Sequence, residues 1–552
     1  MKTNTKKVAL NFKFLDLFSR DYRLITATLV AITLLIYWQV AGFEFVWDEI
    51  SDPLNHLDNP FVAQPSFKSF SMLFTEPYFG MYIPISYLFW GVLKSAAQLF
   101  SLPVNSVLHL ANVLVHIVNG LLVFTILRQF VSSKSAVALG ASFFLLHPMQ
   151  VEVVAWVSEM RNLLAFLFAF TALYFYLKNQ AKFSLLPLLL FVLALLSKPS
   201  AVVLPLMIIV INHFHYNFKL KNNISKTLPF LLLALIAALI IVSIQSVNMP
   251  DSQVVSYWQR PIIWLNSITI YLWHLLYPVN LNAVYGLPAA YMASNWWFYI
   301  FPLATLGLAA YLRTLGKKQP LLLFASALFL LGFLPTSGFV SFSFQLVSVV
   351  ADRYLYFSFV GVALFIAAIA SQNGKKTRVL LAIVLVVFTF LSAIVQIPVW
   401  QNDIKLWNHT ADYAQYDKRY AKIALGAALH DEGWKLAKLG KNQQALKIFD
   451  KIIADKLHHK EMHHTFYIRG VIMMEQKHYQ KALVDFGKSI KINAKNNNAY
   501  EGKINVFIRL GQCKNAQSEI NLMRDKQLKV PLFLLQDWQK ICKNKANNPN
   551  SK

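Results

Sequence analysis

The sequence predicts an all-α protein in two parts, a polytopic membrane domain of about 11–13 helices over residues 1–399 and a helical repeat domain over residues 400–552. Three observations predict it. Hydrophobic residues make up 56% of the 552-residue chain, more than soluble domains of that length carry. Apolar runs of helix length recur up to Trp400, where the composition becomes polar and basic. A residue pattern then recurs in this last part with a period near 34 residues.

Eleven apolar segments are predicted to span the membrane, since each approaches the length that a helix needs and is bounded by polar or basic residues. Two further stretches, residues 82–100 and 262–278, are rich in aromatic residues and bounded by prolines, which is typical of helices that lie in the outer interface or re-enter it. If both span, the count is thirteen. The eleven segments are residues 24–42, 107–127, 136–147, 162–177, 183–196, 200–216, 228–246, 296–313, 320–335, 354–370 and 378–396.

The positions of basic residues predict which side of the membrane the N-terminus and the loops face. The later basic clusters can all lie on one side if eleven segments span, and that side is the cytoplasm. The loop at residues 44–81 and the C-terminal part are then extracytoplasmic. We expect a multi-pass protein of a bacterial inner membrane, with the endoplasmic reticulum membrane as the alternative. The net charge of +26 therefore indicates membrane anchoring and not nucleic-acid binding. The basic residues before the first span are Lys2, Lys6, Lys7, Lys13, Arg20 and Arg23.

The C-terminal part contains three units that align on small and aromatic residues. Ala445, Ala482 and Ala516 are 37 and 34 residues apart, and 34 is the period of tetratricopeptide repeats. Small residues at these positions let paired helices approach, while Phe449 and Phe486 fill the space between pairs. The pattern predicts a short array of this type, with a generic α-hairpin domain as the alternative. Such arrays present surfaces that bind peptides or protein segments.

An acidic pair, Asp48-Glu49, follows the first predicted span and lies in the loop at residues 44–81. Carboxylates at a membrane are costly to desolvate, so their presence indicates a functional site. A carboxylate within hydrogen-bond reach of an acceptor hydroxyl can act as a general base. The structural alternative is that one of the pair caps a loop helix, because Asp is a good N-cap residue.

Further residue blocks follow the acidic pair in a fixed order. They are Leu108-His109-Leu110-Ala111-Asn112, Leu146-His147-Pro148, Arg161-Asn162-Leu163-Leu164, Ser197-Lys198, Leu334-Pro335-Thr336-Ser337-Gly338 and Ala351-Asp352-Arg353-Tyr354. Together with the acidic pair and the repeats, this order resembles the transmembrane and tetratricopeptide-repeat O-mannosyltransferase-like proteins. These belong to the GT-C class of glycosyltransferases, in which protein O-mannosyltransferases and lipid A aminoarabinose transferases are more distant relatives.

The resemblance implies a membrane glycosyltransferase that moves a hexose, with mannose as the family-level choice, from a polyprenyl-phosphate donor to a hydroxyl of a protein or peptide on the extracytoplasmic face. A glycan or a lipid is the alternative acceptor. Asp48 is the predicted catalytic base, and Glu49 is predicted to orient the acceptor or neighbouring groups. Relatives commonly have Tyr-Arg-Pro where this chain has Tyr82-Ile83-Pro84, so the donor phosphate is expected to be held differently here. Relatives also often have Lys-Glu where this chain has Lys198-Pro199.

Three basic residues at predicted outer ends of spans are candidates for holding the donor phosphate: Arg161, Lys198 and Arg353. Guanidinium groups bind phosphate through paired hydrogen bonds, and ammonium groups act as point charges. The alternative is that these long side chains reach towards lipid headgroups. The residues predicted to support the site are His147, Glu152, Tyr82 and Asp352, and Asp352 is expected to act as the structural partner of the adjacent Arg353 and not as a reactant.

No cofactor and no metal site are predicted, because basic residues can neutralise a departing phosphate. An acidic pair is nevertheless also a donor set for divalent cations. The histidine cluster at residues 458–464 could chelate a transition metal, but in a basic helical tail it is more often solvated. Cys513 and Cys542 can pair in an oxidising compartment or remain two free thiols.

Two other functions compete with the glycosyltransferase. The first is a catalytically inactive membrane scaffold whose repeats bind a partner protein, which the missing arginine at Ile83 favours. The second is a transporter or flippase, which ranks last because few carboxylates lie within the predicted spans. The expected partners are thus a polyprenyl-phosphate sugar, a protein or peptide and membrane lipids.

Overall fold

The computed structural model describes residues 13–50, 55–179, 182–245, 255–339 and 342–543. In these ranges the chain is all-helical, apart from one isolated β-bridge between Tyr78 and Met81. The chain divides into two compact units, Met1–Asp417 and Lys418–Lys552. The predicted all-α class is therefore confirmed for the described part of the chain.

The first unit is a bundle of apolar helices joined by short helical turns. Its α-helices are α1 (Arg23–Tyr37), α2 (Pro60–Ala63), α3 (Phe67–Thr75), α4 (Pro84–Leu99), α5 (Val104–Leu127), α6 (Lys134–Leu146), α7 (Val151–Ala155), α8 (Met160–Lys178), α9 (Leu185–Ser197), α10 (Leu204–Tyr216), α11 (Leu220–Gln245), α12 (Arg260–Leu276), α13 (Ala289–Ser294), α14 (Pro302–Gly316), α15 (Pro320–Gly332), α16 (Phe359–Gln372), α17 (Lys375–Leu391) and α18 (Asp403–Tyr413).

Seven helical segments in the described ranges are long and apolar enough to cross a membrane. An eighth is the pair Lys134–Leu146 and Pro148–Ala155, which is bent by 50° at its break. The shorter apolar helices α9, α15 and α16 complete a set that coincides with the eleven predicted segments. The two uncertain stretches form α4 and α12. The seven are Arg23–Gly42, Val104–Leu127, Val157–Lys178, Pro199–Tyr216, Leu220–Ile244, Trp296–Gly316 and Lys375–Gln401.

Helices α5 and α8 form the centre of the bundle, because 78% and 72% of the residues in their apolar 18-residue stretches are buried. Helices α11, α14 and α17 are only 17–22% buried, so their apolar side chains remain uncovered by protein. Glycines allow close packing of α6, α15 and α16. A Cβ at Gly140 would lie 2.3 Å from the carbonyl oxygen of Ala363, and one at Gly361 would lie 2.4 Å from the backbone nitrogen of Phe329. Small residues have this role at helix contacts in membranes.

The segment between α6 and α8 is bent and not a straight helix. Pro148 cannot continue α6, because proline lacks the backbone N–H and restricts the residue before it. A 3₁₀ turn (Pro148–Gln150), α7 and a second 3₁₀ turn (Val157–Glu159) follow, and all of their residues are buried. This compact segment places several charged side chains at the start of α8.

The second unit consists of helices that pack in consecutive pairs, namely α19 with α20, α21 with α22, and α23 with α24. A Cβ at Gly433 would lie 2.6 Å from the ring of Phe449, and one at Gly470 would lie 2.8 Å from the ring of Phe486. The small residues therefore make room for the aromatic rings within these two helix pairs. The helices are α19 (Arg419–Lys438), α20 (Asn442–Ala454), α21 (Met462–Glu475), α22 (Tyr479–Ile492), α23 (Asn497–Arg509), α24 (Cys513–Asp525) and α25 (Leu532–Trp538).

The boundary between the units lies after Asp417 and not at the change of composition near Trp400. Helix α18 is polar on average, but Leu406 and Trp407 are buried. The Trp407 ring packs edge-on against Trp47 with ring centroids 5.1 Å apart. These apolar contacts place α18 with the first unit, although its overall composition resembles that of the repeats.

Candidate functional site

The acidic pair lies in a 3₁₀ turn, Trp47–Glu49, which begins in a left-handed backbone conformation. Trp47 has a φ of 55°, which is unfavourable for a bulky residue and persists only where the surroundings hold it. Its ring stacks on Trp156 with centroids 4.7 Å apart, and its backbone N–H donates to Asp403 Oδ1 at 2.9 Å. These contacts fix the backbone that carries Asp48 and Glu49.

The Glu49 carboxylate is buried and bonded to protein donors at both oxygens. Oε1 accepts hydrogen bonds from the backbone N–H and hydroxyl of Ser158, at 2.5 and 2.6 Å. Oε2 accepts from the Trp156 indole at 3.2 Å and from the backbone N–H of Val46 at 3.1 Å. Burial raises the pKa of Glu49 to about 8, although the bonds from Ser158 oppose this. Glu49 therefore ties the loop to the turn before α8.

The Asp48 carboxylate is partly exposed, at 17%, and lies among basic groups. Its Oδ2 is 3.6 Å from Arg161 Nη2 and 3.7 Å from His56 Nε2. Burial alone would raise the pKa of Asp48, but its contact with His56 and the charges of Arg161 and Arg353 outweigh burial and lower it. Asp48 is therefore ionised at neutral pH and can accept a proton or a hydrogen bond.

His56 is buried between Asp48, Arg161 and Tyr87. Arg161 Nη1 lies 3.1 Å from His56 Nε2, and a guanidinium can only donate. This contact assigns the lone pair to Nε2 and the proton to Nδ1, which is 2.9 Å from the Tyr87 hydroxyl. Burial and the charge of Arg161 lower the pKa of His56, which agrees with a neutral ring.

A third carboxylate, Glu159, joins two of the predicted phosphate ligands. Its Oε1 accepts from Arg161 Nε at 3.3 Å and Nη2 at 3.2 Å, and its Oε2 accepts from Lys198 Nζ at 2.9 Å. Glu159 is fully buried, and Lys198 is 16% exposed. Burial lowers the pKa of Lys198 to about 8, although the charge of Glu159 opposes this. We call this group the Asp48 cluster: Asp48, His56, Glu159, Arg161 and Lys198.

Arg353 is buried in a separate, closed environment. Its backbone N–H donates to Glu152 Oε2 at 2.9 Å, and its guanidinium pairs with Glu152 Oε1. The guanidinium carbon lies 4.3 Å from the ring centre of Phe344 and 5.4 Å from those of both Trp47 and Trp156. Aromatic faces attract such cations. Arg353 is therefore held by a carboxylate and several rings.

Asp352 does not pair with the neighbouring Arg353, which sequence reasoning had suggested as its structural partner. Its Oδ1 accepts from the Tyr285 hydroxyl at 2.9 Å and lies 3.8 Å from His274 Nδ1. Burial and the charge of Glu152 raise the pKa of Asp352. We call this second group the Arg353 cluster: Glu152, Tyr285, Asp352 and Arg353.

The two clusters meet at Trp156. The Arg161 guanidinium carbon is 5.6 Å from the centre of this indole ring, and that of Arg353 is 5.4 Å from it. The charge of Arg353 also contributes to the lowered pKa of Asp48. Of the predicted site residues, the structure thus groups Asp48, Arg161 and Lys198 directly, with Arg353 and its partner Glu152 alongside.

Two predicted supporting residues make their contacts elsewhere. The Tyr82 hydroxyl donates to the carbonyl oxygen of Phe74 at 3.0 Å. His147 Nε2 lies 3.1 Å from the carbonyl oxygen of Leu275, and its Nδ1 accepts from the backbone N–H of Met149 at 3.2 Å. His147 therefore has both ring nitrogens engaged with backbone groups at the end of α6.

Sequence reasoning missed His56 and Glu159. The signal for Glu159 is its position two residues before Arg161, inside an otherwise apolar stretch, where a carboxylate needs a specific reason. His56 has no comparable local signal, because it is one polar residue among several in the loop.

The cysteines and two buried histidines of the second unit, His430 and His459, serve its packing. Cys513 and Cys542 form a disulfide bond. Thr465 lies within hydrogen-bond distance of His430 Nδ1, at 2.8 Å, and of His459 Nε2, at 3.0 Å. Among the residues that the structure describes, no group of three or more His, Cys, Asp or Glu side chains is arranged to hold a metal ion.

Comparison of the chain with protein-family models, with curated proteins and with solved structures gives no match in any of the three cases. The functional conclusion therefore depends on the geometry of the Asp48 cluster.

Proposed function

We propose that this protein is an integral-membrane glycosyltransferase that transfers a hexose, with mannose as the first choice, from a polyprenyl-phosphate donor to a hydroxyl group of a protein or peptide. The observation that carries the proposal is the Asp48 cluster, in which a partly exposed, ionised carboxylate lies beside Arg161, and Glu159 joins Arg161 to a second cation, Lys198. Transfer needs a base for the acceptor proton and positive charge for the departing phosphate. This cluster contains both.

In the proposed reaction, Asp48 accepts the proton of the acceptor hydroxyl as its oxygen forms a bond to the anomeric carbon of the sugar. The bond between that carbon and the phosphate oxygen breaks, and polyprenyl phosphate leaves as the anion. Lys198 is the candidate for neutralising it, because an ammonium has three donors and Glu159 takes one of them. Arg161 keeps Asp48 ionised and adds positive charge. The clustered aromatic rings of Trp47, Trp156 and Phe344 form an apolar wall beside these groups.

The proposed location is a membrane, with the Asp48 cluster and the second unit on its extracytoplasmic side. The set of apolar helices supports a membrane protein. The positive charges before α1 support a cytoplasmic N-terminus. The Cys513–Cys542 disulfide supports an oxidising compartment for the second unit, because disulfides persist in the periplasm or the lumen of the endoplasmic reticulum. A bacterial inner membrane is the first choice.

The second unit is proposed to be a tetratricopeptide-like array that binds the protein acceptor. Its three consecutive helix pairs support this assignment. So does the repeated packing of a small residue against an aromatic ring, Gly433 on Phe449 and Gly470 on Phe486. Arrays of this kind bind extended protein segments along their surfaces.

An inactive membrane scaffold is the second candidate function. It is favoured by Ile83, which is buried where the resembling proteins commonly carry an arginine. A buried isoleucine cannot contact a phosphate, so one cation of the resembling site has no counterpart at this position. The scaffold would keep the fold and the partner-binding repeats without transferring sugar.

The experiment that distinguishes these functions is a transfer assay with the purified full-length protein in lipid nanodiscs. Polyprenyl-phosphate mannose and glucose are offered with hydroxyl-rich peptides, and release of polyprenyl phosphate is measured with and without a chelator. We expect donor-dependent release that a chelator leaves unchanged, because the cluster offers cations of its own. The control is Glu76→Gln, which neutralises an exposed carboxylate near the end of the same loop. Absence of release with intact peptide binding would support the scaffold.

A further inference from the structure

A cavity of about 210 Å³ lies among the ends of three helices of the first unit. Its wall includes Tyr176 near the end of α8, Ser184 before α9, and Ser225 in α11. Arg161 of the Asp48 cluster lies at the other end of α8. A helix rises about 1.5 Å per residue, so roughly 22 Å of α8 separates the cavity from the Asp48 cluster. The cavity is therefore distinct from that site and lies towards the opposite membrane surface.

The polar part of the cavity is suited to an anion. Lys182 and Lys226 line it together with the hydroxyl-bearing residues Tyr176, Ser184 and Ser225. None of the lining residues, all of which lie in the described ranges, is acidic. Ammonium and hydroxyl groups donate hydrogen bonds to phosphate oxygens, and an ammonium adds a compensating charge.

The apolar part of the cavity indicates that the anion is attached to a lipid. Pro187, Leu188, Pro229 and Phe230 form this side of the wall. The helices that carry them present uncovered leucines next to the cavity. These are Leu185, Leu186 and Leu189 on α9, and Leu228 and Leu232 on α11. An acyl chain could follow this surface, whereas a free phosphate would gain nothing from it.

We propose that this cavity binds the phosphate headgroup of an anionic membrane phospholipid, with the acyl chains lying between α9 and α11. Charge complementarity favours it, since further lysines gather around the same helix ends at Lys178, Lys219 and Lys221. Basic pockets between membrane helices are suited to such headgroups, and each lysine near the surface adds to their attraction. The proposal is independent of the chemistry at the Asp48 cluster.

The test uses the full-length protein in nanodiscs of mixed phosphatidylglycerol and phosphatidylcholine, with retained lipid counted by native mass spectrometry. We expect the wild type to retain phosphatidylglycerol selectively. The double variant Lys182→Gln with Lys226→Gln should reduce this retention roughly tenfold to thirtyfold. The matched control removes the same charge from two exposed lysines beyond α14, Lys317→Gln with Lys318→Gln, and should retain the lipid as the wild type does.

A second variant tests the cavity without changing charge. Ser225→Trp fills the space beside both lysines and should also reduce retention of phosphatidylglycerol, so the proposal stays testable if the double variant does not fold. Equal losses in the control and the double variant would show general surface attraction and overturn the proposal. Unchanged retention in both cavity variants would overturn it as well. Displacement of the lipid by inorganic phosphate would assign the cavity to a soluble anion instead.

Discussion

The Asp48 cluster and the Arg353 cluster both place acids beside cations, but they differ in how completely their groups are occupied. In the Arg353 cluster, Glu152 binds both the backbone and the guanidinium of Arg353, and aromatic rings surround that guanidinium. In the Asp48 cluster, the carboxylate of Asp48 lies 3.6 Å from the Arg161 guanidinium and 3.7 Å from the neutral ring of His56, and it keeps partial exposure. A closed ion pair supports the fold, whereas an open one can exchange its contacts for those of a ligand.

The same contrast separates the two adjacent carboxylates of the loop. Glu49 accepts four hydrogen bonds from protein donors, and Asp48 remains at the edge of its cluster. Sequence proximity therefore does not imply a shared role. If this difference is functional, variants of the open carboxylate, Asp48, should change activity. Variants of the closed carboxylates, Glu49 and Glu152, should change stability.

The largest effect is expected from Asp48→Asn, which keeps the shape of the side chain but removes its ability to accept a proton. General base catalysis contributes about 10²- to 10⁴-fold, so kcat for sugar transfer should fall by that factor while the donor Kd stays near that of the wild type. Steady-state transfer and donor-binding measurements check this. Full turnover in this variant would move the base to another carboxylate, with Glu49 and Glu152 as the next candidates.

The next effect is expected from Glu152→Gln in the closed cluster. The variant leaves the buried guanidinium of Arg353 without its counter-charge, and breaking a buried pair in this way costs about 3–5 kcal/mol of stability. Unfolding in detergent, followed by denaturant or heat, measures the loss. Asp455→Asn is the control, since it breaks an exposed pair with Lys451 and should change stability by less than about 0.5 kcal/mol. Equal stability of Glu152→Gln and wild type would contradict the closed assignment.

A smaller effect on stability is expected from Glu49→Gln, because the new amide group meets donors from Ser158, Trp156 and Val46. An unsatisfied buried group costs about 1–3 kcal/mol. The effect should depend on pH. The pKa of Glu49 rises from 4.5 to about 8 on folding, so folding takes up a proton in this window and wild-type stability falls as pH increases through it. The glutamine variant lacks this dependence.

The difference between wild type and Glu49→Gln should therefore be greater at pH 5 than at pH 9. Unfolding experiments across this range test the sign. A difference that grows with increasing pH would mean that the folded protein favours the ionised carboxylate. The pKa of Glu49 would then be lowered on folding and not raised.

The smallest effect concerns Lys198, whose pKa is lowered by burial to about 8. If its ammonium binds the donor phosphate, donor affinity should fall about tenfold as pH rises from 7 to 9 and the charge is lost. Lys198→Arg should remove this pH dependence, because a guanidinium stays charged. The control is Lys405→Arg at an exposed position of α18. An unchanged pH profile for Lys198→Arg would assign donor binding to other cations.

Sequence by itself determined the helical class, the apolar segments and the spacing of the repeated units. These features depend on local composition and spacing. Each helix forms the hydrogen bonds of its own backbone, and each apolar run by itself indicates a segment that is removed from water. The spacing of Ala445, Ala482 and Ala516 gives a repeat period that one can read along the chain. Asp48, Arg161 and Lys198 could be selected because they lie at the ends of predicted spans.

Only the tertiary structure decided which charges meet. Ser158 is 109 residues from its acceptor Glu49, and Arg353 is 201 residues from its partner Glu152. Local sequence favoured Asp352 as the partner of Arg353, but the fold turns Asp352 towards Tyr285. The physical reason is that a buried charge pairs with whichever opposite charge the packing of distant helices brings within reach, and neither composition nor periodicity encodes that proximity.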